Sequence, residues 1–224
     1  MAKTDANTDR IPLTIDGRRV LARPGATVLE AAGDAGIAIP HLCHQPELGL
    51  EPTSSCRLCL VEVEGERGLV AACSHAAGDG MVVRTATEEI VEHRRMLLEL
   101  LLSDHPHDCL LCDQAGRCSL QHWAYELGVR TSPYDAPAPP SEPERQGPAI
   151  VYDRSKCILC GRCKLVCHEM QQTGAIDFQN RGLAARVGLP EGLPREQSVC
   201  VECGNCLDAC PTGALMPADA VGQG

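Results

Sequence analysis

The sequence predicts an α+β protein built from several small modules, and three observations lead to this fold class. Short segments of alternating apolar and polar residues surround one helical segment in the first 84 residues. The chain of 224 residues contains 15 cysteines, most of them in closely spaced groups. It has only one Phe, one Trp and three Tyr, so its cores must be built from Leu, Val, Ile and Ala. Such cores are thin, and bound metal is expected to help hold the modules together.

The first module is predicted to be a sheet wrapped around one short helix. The helix opens at Thr27, which forms a capping box with Glu30, and Gly33 or Gly36 could end it. The strands are the segments in which apolar and polar residues alternate. They are Ile11–Asp16, Arg18–Ala22, Leu60–Glu64, Leu69–Ala72 and Met81–Arg84.

Two helices and a proline-rich segment follow. The helix predicted over residues 87–102 has an apolar face, and its charged side chains, Arg94 among them, are expected to lie mostly outside that face. A shorter helix is predicted over residues 119–127. Residues 131–148 carry six prolines and are predicted to be a linker or extended strap rather than a packed element.

The last part of the chain contains an internal repeat. Four cysteines spaced C-x2-C-x2-C-x3-C recur with every position shifted by 43 residues. Such a run typically binds a [4Fe–4S] cluster, and in two-cluster ferredoxins its fourth Cys ligates the other cluster. A tight loop can present three thiolates to one cluster, and the remote Cys closes the site. The predicted ligand sets are Cys157, Cys160, Cys163 and Cys210 for one [4Fe–4S] cluster, and Cys200, Cys203, Cys206 and Cys167 for the other.

Four earlier cysteines are spaced C-x12-C-x2-C-x13-C and suit a [2Fe–2S] cluster. The spacing differs from the plant-type run, and a zinc ribbon is the alternative interpretation on spacing alone. Zinc is less suited to the repeat, because zinc sites usually pair two C-x2-C knuckles without a third close Cys. The sheet context and the other cysteine sets favour iron. The predicted [2Fe–2S] ligands are Cys43, Cys56, Cys59 and Cys73.

The third constellation lacks one cysteine. Cys109, Cys112 and Cys118 need a fourth ligand, and His105 supplies an H-x3-C-x2-C-x5-C pattern. His107 is the rival ligand. An imidazole in place of a thiolate would make this [4Fe–4S] cluster less negative and shift its potential.

Charge and hydropathy exclude several classes of protein. The net charge is −10 and no basic stripe is present, which disfavours nucleic-acid binding. The N-terminus has no apolar signal segment, and no stretch approaches the roughly 18 apolar residues of a membrane helix. We therefore predict a cytoplasmic protein without a membrane span. In that reducing compartment, clustered cysteines bind metal rather than form disulfides.

The four sets, in this order, resemble the N-terminal region of the large iron–sulfur subunit of respiratory complex I and the matching subunits of NAD-linked hydrogenases and formate dehydrogenases. The likeness is carried by Ser55–Gly65, Ser103–Pro106, Cys109–Gln121, Lys156–Cys163 and Gly174–Phe178. It implies a β-grasp [2Fe–2S] domain (1–84), a small helical [4Fe–4S] domain with one His and three Cys ligands (85–130), the linker (131–148) and a two-cluster ferredoxin-like domain (149–224). It also favours His105 over His107. His168 departs from the pattern, because Pro often follows the last Cys of such a run.

The resemblance implies an iron–sulfur electron-transfer subunit with one [2Fe–2S] and three [4Fe–4S] clusters. Its expected partners are a flavin- and NAD(P)-binding diaphorase subunit and a catalytic subunit of a hydrogenase, or next a formate dehydrogenase. The sequence shows no Gly-rich nucleotide fingerprint and no catalytic dyad, so the chain is predicted to be non-catalytic by itself. The alternative is a zinc-binding structural or assembly protein.

Overall fold

The computed structural model of the chain describes residues 10–134, 136–137, 142–146, 149–190 and 198–219. The chain divides into two compact units. The first unit comprises Met1–His41 and Cys56–Leu97, and the second comprises Leu42–Ser55 and Leu98–Gly224. The domains predicted from the sequence are four successive ranges, whereas each of these two units is made of two separate ranges of the chain. In sequence, the segment Leu42–Ser55 falls between the two ranges of the first unit, but it belongs to the second.

Five strands form one sheet in the described part of the first unit. Their spatial order is β2-β1-β5-β3-β4, with β1 and β5 parallel and the other neighbours antiparallel. The alternation predicted each of these strands, some one or two residues too long. Their bounds are β1 Ile11–Ile15, β2 Arg18–Ala22, β3 Leu60–Val63, β4 Val70–Ala71 and β5 Val82–Arg84.

One helix, α1 (Val28–Asp34), covers the sheet, and its predicted capping box is present. The Thr27 hydroxyl accepts from the Glu30 backbone at 3.2 Å, and the Glu30 carboxylate accepts from the Thr27 backbone at 2.7 Å. Gly36, with φ of +70°, supplies the left-handed turn after α1, so of the two predicted stops Gly36 is the one used. The buried core of this unit contains Leu, Ile, Val, Ala and Cys side chains and no aromatic ring among the described residues.

Helix α2 spans Glu88–Leu102, and helix α3 spans Ser119–Glu126. Both helices were predicted, but the prediction for one side chain of α2 was wrong. Arg94 is only 3% exposed, whereas the sequence pattern put it mostly outside the apolar face. Its guanidinium compensates for burial by donating to the carbonyls of Leu58 and Leu60, at 3.0 and 2.8 Å.

The repeat in the second unit is built from short elements. A three-stranded antiparallel sheet runs in the order β10-β7-β6 among the described residues, and β8 pairs with β9. Strand β6 lies inside the proline-rich segment that was predicted to be a linker or extended strap. Its backbone nevertheless pairs with β7, despite the local composition. The bounds are β6 Glu144–Arg145, β7 Ile150–Tyr152, α4 Arg162–Leu165, β8 Asp177–Gln179, β9 Arg186–Gly188, α5 Asn205–Ala209 and β10 Leu215–Pro217.

No helix within the described ranges is both long and apolar enough to cross a membrane.

Candidate metal centres

Both cysteine runs of the repeat fold into the same kind of loop. Leu159 and Glu202, one in each run, have φ of +52° and +54°, and Gly161 and Gly204 follow with φ of +79° and +81°. These left-handed residues stand at matched positions before and after the second Cys of each run. They bend the backbone so that α4 and α5 begin directly after the loops. The backbone of the two runs is therefore bent in the same way around the second Cys of each.

The first run meets the last cysteine of the second run. Cys157, Cys160, Cys163 and Cys210 line one cavity together. Burial, with the neighbouring Cys210 and Cys157, raises the pKa of Cys160 to about 12. Burial, followed by four cysteine neighbours (Cys160, Cys210, Cys157 and Cys206), also raises the pKa of Cys163 well above its ordinary value. Thiols that raise one another's pKa lie close together, and a shared cation is what would let them ionise at neutral pH.

The second run meets the last cysteine of the first. Burial, followed by the charges of Cys203, Cys200 and Cys167, raises the pKa of Cys206 to about 12. Cys167 lies in a π-helical turn, Val166–Met170, that extends α4. The chain can continue in this turn because His168, rather than Pro, follows Cys167. The Pro211 that follows Cys210 coincides with the end of α5. The structure thus brings Cys210 to the first run and Cys167 to the second.

His105 and the three cysteines of its constellation line one small cavity: His105, Cys109, Cys112 and Cys118. The Nδ1 atom of His105 lies 3.0 Å from the Pro106 carbonyl, and a carbonyl can only accept, so Nδ1 carries the proton. Burial lowers the pKa of His105 and keeps the ring neutral. Its Nε2 is buried and has no hydrogen-bond partner among the described residues. An unprotonated, unsatisfied imidazole nitrogen in a cysteine-lined cavity fits a metal ligand.

His107 is differently placed. It is exposed, and it does not line the small cavity; it lines a larger neighbouring cavity of about 590 Å³ together with His105, Cys109 and Cys118. Cys112 does not line that larger cavity. Cys118 caps the N-terminus of α3, where its sulfur accepts from the Gln121 backbone at 3.4 Å. The geometry therefore favours His105.

Three of the four cysteines of the remaining set lie in the first unit. A side-chain hydrogen bond with Cys73, followed by burial, raises the pKa of Cys59, and the charge of Cys56 adds to this. Arg57, with φ of +55°, bends the chain between Cys56 and Cys59. The buried Arg94 holds the carbonyls on both sides of Cys59. Burial lowers the pKa of Arg94 to about 10, so its guanidinium stays charged at neutral pH.

Cys43, the fourth member, is buried in the second unit. The hydroxyl of Thr53 lies 3.1 Å from the Cys43 carbonyl and 2.9 Å from the Cys160 carbonyl. Ser55 donates to the same Cys160 carbonyl at 3.1 Å, and Arg162 donates to the Gln45 side chain. The segment Leu42–Ser55 is thus fixed to the first loop of the repeat.

Several of these residues had no recognisable signal in the sequence. Arg94 donates to the carbonyls that flank Cys59, and Thr53 lies on the carbonyls of Cys43 and Cys160. Every residue has a backbone carbonyl, so no residue type in the sequence marks these contacts. Tyr152 is fully buried, and its hydroxyl opposes the rise that burial causes in the pKa of Cys157. Lys156 was noted only as part of the family motif, although it lines the His105 cavity.

None of the 15 cysteines forms a disulfide, and all 15 lie in the described ranges. Across those same residues, no three His, Cys, Asp or Glu side chains are arranged to hold a single metal ion. Two of the sets instead line cavities: His105 with Cys109, Cys112 and Cys118, and Cys157 with Cys160, Cys163 and Cys210.

Family models match three consecutive parts of the chain. Residues 8–88 match a 2Fe-2S iron-sulfur cluster binding domain. Residues 94–133 match the NADH-ubiquinone oxidoreductase-G iron-sulfur binding region, and residues 156–214 match a 4Fe-4S dicluster domain.

A crystal structure of NAD+-reducing [NiFe]-hydrogenase in the H2-reduced state contains a chain that superposes on this one with a TM-score of 0.84. The two are 34% identical, and the match covers 94% of this chain and 88% of the other. The chain belongs to the same family of iron–sulfur proteins as that hydrogenase chain. The family includes the NADP-reducing hydrogenase subunit HndD of Solidesulfovibrio fructosivorans, 42% identical over 92% of this chain, and the NADPH-Fe(3+) oxidoreductase subunit alpha of Geobacter sulfurreducens, 39% identical over 92%.

The chain spans 36% and 24% of the length of those two relatives. The matches confirm the predicted resemblance, the α+β class and the presence of 2Fe–2S and 4Fe–4S ferredoxin-type domains. They give no support to the interpretation as a zinc protein.

Proposed function

We propose that this chain is a non-catalytic electron relay carrying one [2Fe–2S] and three [4Fe–4S] clusters. Its partners would be a flavin- and NAD(P)-binding diaphorase subunit and a hydrogenase catalytic subunit, with a formate dehydrogenase subunit as the next candidate, in the cytoplasm. The observation that carries the proposal is the crossed convergence of two cysteine runs inside one small domain. That arrangement suits two clusters at short range. A single catalytic or structural ion would not need two crossed sets of four cysteines.

The proposed domains are a β-grasp [2Fe–2S] domain over 1–84, a [4Fe–4S] domain over 85–130, the segment 131–148 and a two-cluster domain over 149–224. The mixed five-stranded sheet with α1 packed against it supports the β-grasp assignment. The proposed ligand sets are Cys43, Cys56, Cys59 and Cys73; His105, Cys109, Cys112 and Cys118; Cys157, Cys160, Cys163 and Cys210; and Cys200, Cys203, Cys206 and Cys167.

The chain's own residues define what each site does. When bound, an iron–sulfur cluster accepts and passes on single electrons. The Pro106 carbonyl holds the proton on Nδ1 of His105 and so directs the Nε2 lone pair into the cavity. A neutral imidazole makes that ligand set one charge less negative than four thiolates, which favours the reduced state. The Tyr152 hydroxyl and the Arg94 guanidinium place positive potential near Cys157 and Cys59.

Iron and acid-labile sulfide analysis of the anaerobically purified chain tests the cofactor content. We expect about 14 iron atoms per chain, the content of one [2Fe–2S] and three [4Fe–4S] clusters. A colourless, zinc-loaded preparation would refute the relay. Purification with bound partners tests the second half of the proposal: a diaphorase subunit and a hydrogenase subunit should accompany the chain, and the isolated chain should show no turnover with NADH or hydrogen and a dye.

Variants test the ligand sets one at a time. His105→Ala should abolish one [4Fe–4S] signal in electron paramagnetic resonance (EPR), whereas the matched His107→Ala should leave all signals unchanged. The reverse pattern would make His107 the ligand. Cys210→Ala should disrupt the cluster of the first run, and Cys167→Ala that of the second, because each cysteine closes the other run's site.

A further inference from the structure

We propose that the buried ion pair of Lys156 and Asp153 sets the reduction potential of the centre held by His105 and its three cysteines. This inference rests on the proposed function, because it requires a cluster at that site. Lys156 is one of the residues that line the same cavity as His105, Cys109 and Cys112.

The pair is shielded from solvent. The Lys156 ammonium lies 3.2 Å from Asp153 Oδ2, and the two side chains are only 17% and 6% exposed. Charges with so little exposure are screened less than surface charges, so they act more strongly on a neighbouring redox centre.

The pair is also held in one geometry. The second carboxylate oxygen of Asp153 accepts from the Ser155 backbone at 3.0 Å and from the Ser155 hydroxyl at 2.6 Å. The Lys156 carbonyl accepts from the Thr212 hydroxyl at 2.6 Å, and Thr212 lines the same cavity. Loops on both sides of the cavity are joined here, since the Ser119 backbone donates to the Pro211 carbonyl at 2.9 Å.

The two charges have opposite effects on an electron that arrives in the cavity. The ammonium of Lys156 stabilises the added negative charge and raises the potential. The carboxylate of Asp153 opposes this, and the measured potential reflects the balance. Lys156→Met should therefore lower the potential of the His105 centre, and Asp153→Asn should raise it. The double variant should return close to the unmodified value, because both opposing charges are then gone.

Opposite shifts distinguish an electrostatic role from a structural one. Loosening of the cavity by either variant would move the potential in the same direction for both, or would lose the cluster. Lys156→Arg keeps the charge and should keep the potential. Lys164→Met is the matched control, because Lys164 forms an exposed ion pair with Asp177 at 2.7 Å and does not line the cavity.

The experiment is an anaerobic EPR redox titration of the full chain, with the His105 centre identified as the signal that changes in His105→Cys. Each single variant should change the reduced-to-oxidised ratio at fixed potential about tenfold, which is about 59 mV for a one-electron couple. Shifts of the same sign, shifts of less than about twofold, or shifts confined to the Cys157 centre would overturn the inference while leaving the relay intact. If no signal responds to His105→Cys, the proposed cluster itself is wrong.

Discussion

Replacing Arg94 with Met should destabilise the first unit and its cysteine loop. The guanidinium donates to the carbonyls of Leu58 and Leu60, which flank Cys59, and Leu58 is fully buried. Each hydrogen bond from a charged donor contributes about 1.5–3 kcal/mol. Removing the buried cation also relieves its desolvation cost, which offsets part of the loss. The net expected loss in the free energy of unfolding is about 2–4 kcal/mol, because the methionine leaves both carbonyls without these donors.

Guanidinium unfolding of the full chain, followed anaerobically through the visible circular dichroism of the [2Fe–2S] site, measures this loss. With an m-value of about 2–6 kcal/mol/M, a loss of about 3 kcal/mol lowers the midpoint by roughly 0.5–1.5 M. Arg95→Met is the matched control on the exposed side of α2, and a change within about 0.5 kcal/mol is expected there. Arg94→Lys should be intermediate, because an ammonium cannot serve both carbonyls as a planar fork does. Equal midpoints for the Arg94 and Arg95 variants would refute the reasoning.

Three further predictions concern the second unit. Gly213→Ala should destabilise the second unit by about 2–4 kcal/mol, because Gly213 has φ of +69° and an added Cβ would clash with the Gln114 side chain. The loss should appear as less iron retained after heating. Gln114→Ala in that variant should restore part of the retained iron, and no rescue would exclude the clash. Tyr152→Phe should lower the potential of the Cys157 centre in EPR titration, because it removes the hydroxyl that opposes the rise in the pKa of Cys157. The cost in stability should be small, because the buried hydroxyl makes no well-formed hydrogen bond within the described residues. An unchanged potential would contradict this prediction. Iron chelation should make the second unit sensitive to protease before the first, with the order of cleavage followed by mass spectrometry. The opposite order would show that the core of the second unit does not depend on metal.

Local signals account for the parts of the fold that the sequence predicted well. Strand alternation, the capping box at Thr27 and the 43-residue repeat each depend on neighbours in the chain, so the sequence alone carries them. The burial of Arg94 depends on two carbonyls more than 30 residues away, and helical periodicity assigns a charged residue to solvent. Strand β6 was missed because the surrounding prolines predicted an unpacked segment. Its two residues are not prolines, and their backbone can pair with β7.

The cysteines of this chain occupy positions that a larger protein would give to apolar side chains. Cys59 and Cys73 belong to the buried core of the first unit, and Cys163, Cys167 and Cys206 belong to that of the second. A hydrogen bond with Cys73 followed by burial raises the pKa of Cys59, and burial raises the pKa of Cys163 and Cys206, so ionised thiolates at these three positions require a positive partner within the core. Folding and metal binding are therefore coupled by the same side chains.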